Sequence, residues 1–310
     1  MKPSLKVTIA GIEFANPVMT ASGCCGYGEE LAQVFPLSRL GALVTKSITL
    51  KPRPGHPPPR TVETTGGMLN AIGLANVGID RFLSEKAPFL SKQKTKVIVN
   101  VAGSSLEEYV EVCRRLDDCE RADLVELNIS CPNVENGMEF AVHPASTEKV
   151  VAAVKKVFSR PVIAKLSPNV TDIVEIAGAA EQGGSDALSL INSVVGTAID
   201  FDTWRPRLFN NRGGLTGPAI KPIALAMVDA VHSNCTLPII GIGGISCAQD
   251  VVEFMLCGAS AVQIGTALFI QPDIPVKIVR DLTDYLKKKR LSSVTELTGK
   301  VRKYEHERCP

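Results

Sequence analysis

The sequence predicts an α/β barrel of the TIM type, in which eight parallel strands alternate with helices and close into a ring. Short β-branched runs alternate with longer amphipathic stretches along the whole chain, a pattern typical of βα units. The strand-like runs number eight, and no G-x-G-x-x-G follows the first of them, so a doubly wound nucleotide-binding sheet lacks its fingerprint. We therefore expect residues 1–310 to form one barrel domain.

Each predicted element follows from this alternation. The predicted strands are 17–21, 42–48, 96–102, 124–130, 162–166, 187–192, 238–242 and 261–265. Helical periodicity between the strands predicts helices at 106–116, 147–158, 172–182, 222–232 and 248–256. Three insertions interrupt the pattern. The first is a proline-rich rim loop at 51–60, and the second is a short hairpin at 61–68. The third is a long glycine-rich segment at 200–216, which we interpret as a lid.

Composition and charge limit the function. Hydrophobic residues make up 45% of the chain, which is ample for a substantial core. The formal net charge is +2 with scattered Lys and Arg, so charge gives no argument for a nucleic-acid partner. The basic run at 287–290 is interpreted as the solvated end of a surface helix, with a contact to a membrane surface or a partner as the alternative.

The sequence favours a cytoplasmic protein with reduced thiols. We find no run of about 18 apolar residues and no segment with the pattern of a signal peptide, so neither a membrane span nor export is expected. The nine cysteines are odd in number and irregularly spaced, which argues against a disulfide framework. None of the four histidines lies at zinc-ligand spacing from a cysteine pair, and iron–sulfur spacing is missing, so no metal site is expected.

Polar residues and glycines collect where the predicted strands end, on the face where TIM barrels build their active sites. They are Ser22, Lys46, Ser47, Asn100, Asn128, Cys131, Lys165, Asn192, Ser193, Gly243, Gly244, Gly265 and Thr266. Any one could be a turn former or part of a rim salt bridge. Together they would leave buried polar groups unsatisfied unless a ligand is present. Glycines after the last two strands suit a phosphate, and Lys165 suits an anionic reduced flavin, so the set fits FMN.

Five motifs resemble the dihydroorotate dehydrogenase family. They are T-K-S at 45–47, L-N-A-I-G-L at 69–74, N-I-S-C-P-N at 128–133, G-G-L-T-G-P-A-I-K-P at 213–222 and G-I-G-G-I at 241–245. The similarity runs from about Leu5 to Leu286, and in order and spacing it is greatest to the catalytic subunit of the class 1B, NAD-linked form. The resemblance implies a TIM barrel that holds FMN and oxidises (S)-dihydroorotate to orotate in pyrimidine biosynthesis.

The resemblance also implies roles for individual residues. Cys131 would be the general base that removes the proton from C5 of the substrate while a hydride leaves C6 for FMN. An unperturbed thiol has a pKa of about 8.5, far closer to working pH than a serine hydroxyl. The implied substrate-binding residues are Lys46, Asn70, Ala71, Ile72, Gly73, Leu74, Asn128, Asn133, Asn192 and Ser193. The implied FMN-binding residues are Ala21, Ser22, Lys46, Ser47, Asn100, Asn128, Lys165, Ile191, Gly217, Gly243, Gly244, Gly265 and Thr266.

The NAD-linked form implies a partner. Electrons would pass to a separate subunit carrying FAD and a [2Fe–2S] cluster and then to NAD⁺, with one such subunit on each copy of a homodimer core. Alternatives left open are a fumarate-linked dehydrogenase, an FMN barrel that reduces free pyrimidines, a flavin enzyme acting on uracil in tRNA, and a barrel retained only for binding. The chain departs from the family pattern at Cys24-Cys25, at 75–78 and at 137–141.

Overall fold

The computed structural model describes residues 2–129 and 143–304. The strands are β1 (Val7–Ile9), β2 (Ile12–Phe14), β3 (Val18–Thr20), β4 (Ala42–Val44), β5 (Thr61–Thr64), β6 (Gly67–Asn70), β7 (Lys96–Val101), β8 (Leu124–Asn128), β9 (Val162–Lys165), β10 (Ala187–Leu190), β11 (Val194–Gly196), β12 (Ile199–Asp200), β13 (Arg205–Pro206), β14 (Gly213–Thr216), β15 (Ile239–Ile242) and β16 (Ala259–Ile264). The helices are α1 (Gly78–Arg81), α2 (Ala87–Ser91), α3 (Leu106–Asp117), α4 (Pro144–Lys155), α5 (Ile173–Gln182), α6 (Lys221–His232), α7 (Ala248–Leu256), α8 (Ala267–Ile270) and α9 (Ile274–Lys289). A π-helical turn, Phe82–Lys86, joins α1 to α2.

Eight strands close into a parallel barrel, which confirms the TIM-barrel prediction. Their order around the ring is β10, β15, β16, β3, β4, β7, β8 and β9, and β9 pairs with β10 to complete it. All eight predicted strands are present with somewhat different ends. The predicted strand 42–48 stops at Val44 as β4, although Ile48 rejoins the sheet through an isolated bridge to Val101. Ser130, the predicted end of β8, lies outside the described residues.

The five predicted helices are also present and pack around the barrel. In α3, the side chain of Ser105 caps the first turn by accepting a hydrogen bond from the backbone N–H of Glu108. Helix α9 ends within the basic run predicted at 287–290. The three lysines of this run form the last turn of the helix, Arg290 follows it, and all four side chains are exposed. The prediction of a solvated helix end is therefore confirmed. Among the described residues, no helix has both the length and the apolar character needed to cross a membrane.

The predicted hairpin is real, but it belongs to a larger sheet. Strands β5 and β6 pair antiparallel, β6 also pairs with β14, and β14 with β11. The segment 200–216 thus contributes one strand of this sheet and half of a small ribbon formed by β12 and β13. Since β5 and β6 follow barrel strand β4, and β11 follows β10, the sheet lies at the carboxyl end of the barrel. We call this four-stranded sheet the cap sheet.

The core lies between the barrel and its helices, and one glycine there is required by close packing. A Cβ placed on Gly241 of β15 would lie 2.4 Å from Cδ1 of Phe254, a fully buried ring on α7. Distances this short force the ring or the strand to move. Helix α7 can therefore lie close to β15 only because residue 241 has no side chain.

Gly241→Ala should lower the free energy of unfolding by about 1–3 kcal/mol, because the added methyl group overpacks the contact with Phe254. The matched control is Gly178→Ala in α5, where a Cβ would meet no atom of the described residues within 4 Å. That control should be stabilising by up to about 1 kcal/mol, since alanine is the better helix former. Urea unfolding of both variants checks the pair, and equal effects would contradict the packing argument.

Candidate active site

A cavity of about 1270 Å³ lies between the carboxyl ends of the barrel strands and the cap sheet. Pockets for one drug-sized ligand typically measure about 300–1,000 Å³, so this cavity has room for two ligands side by side. Among its lining residues are most of the site residues predicted from the sequence: Ala21, Ser22, Lys46, Ser47, Asn70, Ala71, Ile72, Gly73, Leu74, Asn128, Lys165, Ile191, Asn192, Ser193, Gly217, Gly243, Gly244, Gly265 and Thr266.

Three of the predicted residues are not in that lining. Asn100 is fully buried behind the cavity wall, where its amide accepts a hydrogen bond from the hydroxyl of Ser47. It can therefore act on a ligand through Ser47, which does line the cavity. Cys131 and Asn133 lie outside the described residues, as does the stretch 137–141 where the chain departs from the family pattern.

Two lysines bring positive charge to the cavity. Burial lowers the pKa of Lys46, the nearby Cys24 thiol acts in the opposite direction, and the positive charge of Arg60 lowers it further. The side chain of Lys165 extends from the end of β9 and is only 7% exposed. Cations held away from water attract anions more strongly than cations in solution, because the local dielectric is lower. The cavity is therefore suited to an anionic ligand or to an anionic state of a bound ring.

Three asparagine side chains converge on the cavity from different strand ends. The amide Nδ2 of Asn192 donates to Oδ1 of Asn128 over 3.1 Å, and Nδ2 of Asn128 lies 3.5 Å from the hydroxyl oxygen of Ser47. On the cap sheet, Nδ2 of Asn70 donates to the carbonyl of Gly214 over 3.1 Å. Each amide carries two donor hydrogens and an acceptor oxygen, so capacity remains for a ligand that presents both donors and acceptors.

Residues 72–74, in the loop after β6, line the cavity. Within the described residues, the N–H groups of Ile72, Gly73 and Leu74 donate to no acceptor. The neighbouring rim loop fixes this loop, because the N–H of His56 donates to the carbonyl of Ile72 and its ring nitrogen Nδ1 lies 3.1 Å from the carbonyl of Ala71. Unpaired backbone donors that face a cavity provide a site for a carboxylate.

The glycines after the last two barrel strands form a narrow cradle. Gly244 has φ +71°, and a Cβ placed on it would lie 2.8 Å from Cβ of Lys221 and 2.9 Å from the carbonyl oxygen of Gly217. Any side chain at position 244 would collide with these atoms, so glycine is required there. Gly243, Gly265 and Thr266 line the same end of the cavity. Bare backbone in this position of a TIM barrel lets a phosphate approach closely.

The sequence did not identify several residues around the cavity. Arg53 and His56 from the proline-rich rim loop, Glu63 from β5 and Arg212 before β14 all line it. The sequence could have identified them, because charged residues in long loops that follow barrel strands often lie at the active site, which such loops border. No group of three or more His, Cys, Asp or Glu side chains that could hold a metal ion occurs within residues 2–129 and 143–304.

Among the described cysteines, Cys24 lines the cavity, and its thiol is held neutral. Burial raises the pKa of Cys24 from 9.0 to about 11, although the positive charges of Lys165 and Lys46 act in the opposite direction. Because the folded pKa is above the unfolded value, the stability gained from keeping this thiol protonated is complete below pH 9 and is lost as the pH rises through about 11.

We expect Cys24 of the native protein to react with iodoacetamide at pH 8 about a hundredfold more slowly than in the urea-unfolded chain. A pKa of about 11 instead of 9.0 reduces the thiolate fraction by that factor. The rate at Cys24, followed by peptide mass spectrometry, should continue to rise between pH 9 and 11, whereas that of the unfolded chain should level off. A native rate that levels off near pH 9 would contradict the raised pKa.

Comparison with known proteins agrees with this geometry. Residues 4–286 match the profile of the family described as dihydroorotate dehydrogenase. A protein of Pelobacter propionicus named dihydroorotate dehydrogenase B (NAD(+)), catalytic subunit, is 52% identical over 300 residues, which cover 96% of this chain and 99% of that protein. A Geobacter sulfurreducens protein of the same name is 54% identical over 299 residues, which cover 96% of this chain and 98% of that protein. With the family profile matched over most of its length and relatives this similar along nearly all of it, the chain belongs to the dihydroorotate dehydrogenase family.

Proposed function

We propose that this chain oxidises (S)-dihydroorotate to orotate with bound FMN, as a step of pyrimidine biosynthesis. The observation that carries the proposal is the cavity of about 1270 Å³ at the carboxyl end of the barrel, where Lys46, Lys165, asparagines from three strand ends and a glycine cradle meet. Family membership and the names of the relatives support the reaction. The size of the cavity supports two ligands, a flavin and a pyrimidine, in contact with each other.

The residues fit FMN at one end of the cavity. The phosphate would be held at the cradle formed by Gly243, Gly244, Gly265 and Thr266, where a Cβ on Gly244 would fill the space. Lys165 and Ser47 would hold the ring, and Asn100 would fix Ser47 from behind. When bound, FMN supplies the hydride acceptor that the amino-acid side chains of the protein lack.

The remaining polar groups fit dihydroorotate, which carries a carboxylate and a cyclic diamide. The free N–H groups of Ile72, Gly73 and Leu74 would bind the carboxylate, and Lys46 would neutralise its charge. Asn70, Asn128, Asn192 and Ser193 would pair with the ring carbonyl and N–H groups, as would Asn133 by its resemblance to the family motif. A bound anion would also raise the pKa of Lys46, which burial lowers.

The proton at C5 must leave as the hydride leaves C6, and we assign this proton to Cys131. The assignment rests on the N-I-S-C-P-N motif at 128–133 that the chain shares with the family. Asn128, three residues earlier, lies at the end of β8 and lines the cavity, so the segment after it begins at the site. A thiol can accept the proton as a thiolate without a histidine partner.

The acceptor for the electrons is proposed to be a partner subunit. The relatives are named catalytic subunits of NAD(+)-dependent enzymes, which supports a second chain. We propose that this partner carries FAD and a [2Fe–2S] cluster, passes electrons to NAD⁺, and binds each copy of a homodimer of this chain.

Cys131→Ala should slow reduction of the bound flavin by dihydroorotate by about a hundredfold to ten-thousandfold, the usual contribution of a general base. The measurement is anaerobic stopped-flow mixing of the flavin-loaded chain with dihydroorotate while the visible flavin band bleaches. Cys235→Ala, which removes a thiol from the loop after α6, is the matched control and should retain the wild-type rate. Wild-type protein that binds flavin but is not bleached would overturn the proposed substrate, and an undiminished Cys131→Ala rate would overturn the base.

The choice of electron acceptor has its own test. Once reduced by dihydroorotate, the flavin of the isolated chain should be reoxidised slowly by NAD⁺, and at least a hundredfold faster when the partner subunit is added. Fumarate should have no effect in either case. Rapid reoxidation by fumarate in the isolated chain would instead support the fumarate-linked alternative, while leaving the dihydroorotate half-reaction intact.

A further inference from the structure

A charged side chain that the proposed reaction does not use lies inside the barrel, below the cavity. Glu126 is on β8, two residues before Asn128, and no part of it is exposed to solvent. Alternation along a strand places residues 126 and 128 on the same side, so both point into the barrel. Asn128 lines the cavity and Glu126 lies one layer deeper.

The carboxylate of Glu126 accepts hydrogen bonds from side chains of three other barrel strands. Asn100 of β7 donates to its Oε1 over 2.6 Å. Ser189 of β10 and Gln263 of β16 donate to its Oε2 over 2.8 and 2.6 Å. Around the ring, β16 lies four strands away from β8, on the opposite side. The carboxylate therefore lies near the barrel axis, directly under the floor of the cavity.

The only cation near Glu126 among the described residues is Lys165, and the two are not hydrogen bonded. Nζ of Lys165 lies 3.8 Å from Oε1, beyond the 2.7–3.2 Å of an N–H···O hydrogen bond. Neutral donors satisfy the carboxylate, so the ammonium N–H groups of Lys165 stay available to the cavity that it lines. Glu126 thus places negative charge beneath the cavity without using the hydrogen-bond donors of Lys165.

The contacts of Glu126 also reach the cavity surface. Asn100, which donates to Glu126 through Nδ2, accepts a hydrogen bond from Ser47 through Oδ1. The other amide atom of Gln263, Oε1, is buried and has no hydrogen-bond partner within the described residues. A buried amide that leaves its oxygen unpaired in order to donate to the carboxylate indicates how strongly the site is organised around the negative charge.

Resting on the proposed function, in which the cavity holds a flavin, we propose that Glu126 is a positioning residue that sets the reduction potential of that flavin. Reduction adds electrons to the ring, and a fixed negative charge in a low-dielectric interior opposes it. Lys165 favours the reduced ring, and Glu126 offsets part of its effect. The balance keeps the bound flavin reducible by dihydroorotate while leaving it able to pass its electrons on.

Glu126→Gln tests this, because it removes the charge and preserves the shape. The flavin-loaded protein should become easier to reduce, with the equilibrium constant for two-electron reduction at least tenfold larger, a shift of about +30 mV. The readout is the midpoint potential, measured by anaerobic equilibration with a reference dye, and it does not depend on turnover. Wild-type protein that binds no flavin would refute the proposed function, and this inference with it, whereas an unchanged potential in flavin-loaded Glu126→Gln protein would refute the inference alone.

Two control variants separate charge from hydrogen bonding. Ser189→Ala removes one donor to Glu126 but keeps its charge, so the equilibrium constant should change less than about threefold. Glu63→Gln removes a carboxylate from the exposed mouth of the same cavity, where water screens it, and should change the constant less than about twofold. A Glu126→Gln protein that binds flavin at the wild-type potential would overturn the proposal, as would an equal shift in Ser189→Ala.

Removing Glu126 alone leaves Lys165 without its counter-charge, so a second comparison avoids that problem. Lys165→Met should lower the reduction constant, and Lys165→Met/Glu126→Gln should raise it again by at least tenfold. The double variant contains neither buried charge, and such neutral replacements are often tolerated in protein interiors. Equal flavin reduction potentials in Lys165→Met and in Lys165→Met/Glu126→Gln would overturn the proposal, because Glu126 would then have only a structural role.

Discussion

Closure of the parallel sheet is the constraint on which the rest of the structure depends. When β9 pairs with β10 to complete the ring, all eight carboxyl ends meet on one face. Residues as distant in sequence as Lys46 and Lys165 therefore line one cavity. The same closure turns alternate side chains toward the barrel axis, where Glu126 accepts hydrogen bonds from β7 on one side and β10 on the other. The cavity and the charge beneath it thus have a common origin in the topology of the barrel.

Much of the fold could be predicted because strands buried on both faces have a continuous apolar pattern. All eight barrel strands were found in this way. The β1–β2 hairpin was missed, because two three-residue strands carry too little pattern. The cap sheet was predicted only in part, since its local β5–β6 hairpin is visible in the sequence but the pairing of Asn70 with Gly214 joins residues 144 positions apart. Local periodicity contains no information about such pairing.

The site was predictable to a similar degree. Strand ends identify which residues reach the cavity, but not how deep each one lies. Asn100 was expected at a ligand and instead lies one layer down, between Ser47 and Glu126. The position of Glu126 within an apolar run was a signal in the sequence that was not used, because an isolated charge in a buried strand requires partners. Its hydrogen-bond partners come from three other strands and the nearby cation from a fourth, so only the three-dimensional structure identifies them.

The central claim is that the cavity binds FMN and a pyrimidine carboxylate together, and a crystal structure of the chain with FMN and orotate tests it most directly. The account predicts the phosphate at the cradle of Gly243, Gly244, Gly265 and Thr266, the ring at Lys165, and the orotate carboxylate at the N–H groups of Ile72, Gly73 and Leu74. Orotate bound outside this cavity, or a flavin whose phosphate lies away from the glycines, would contradict it.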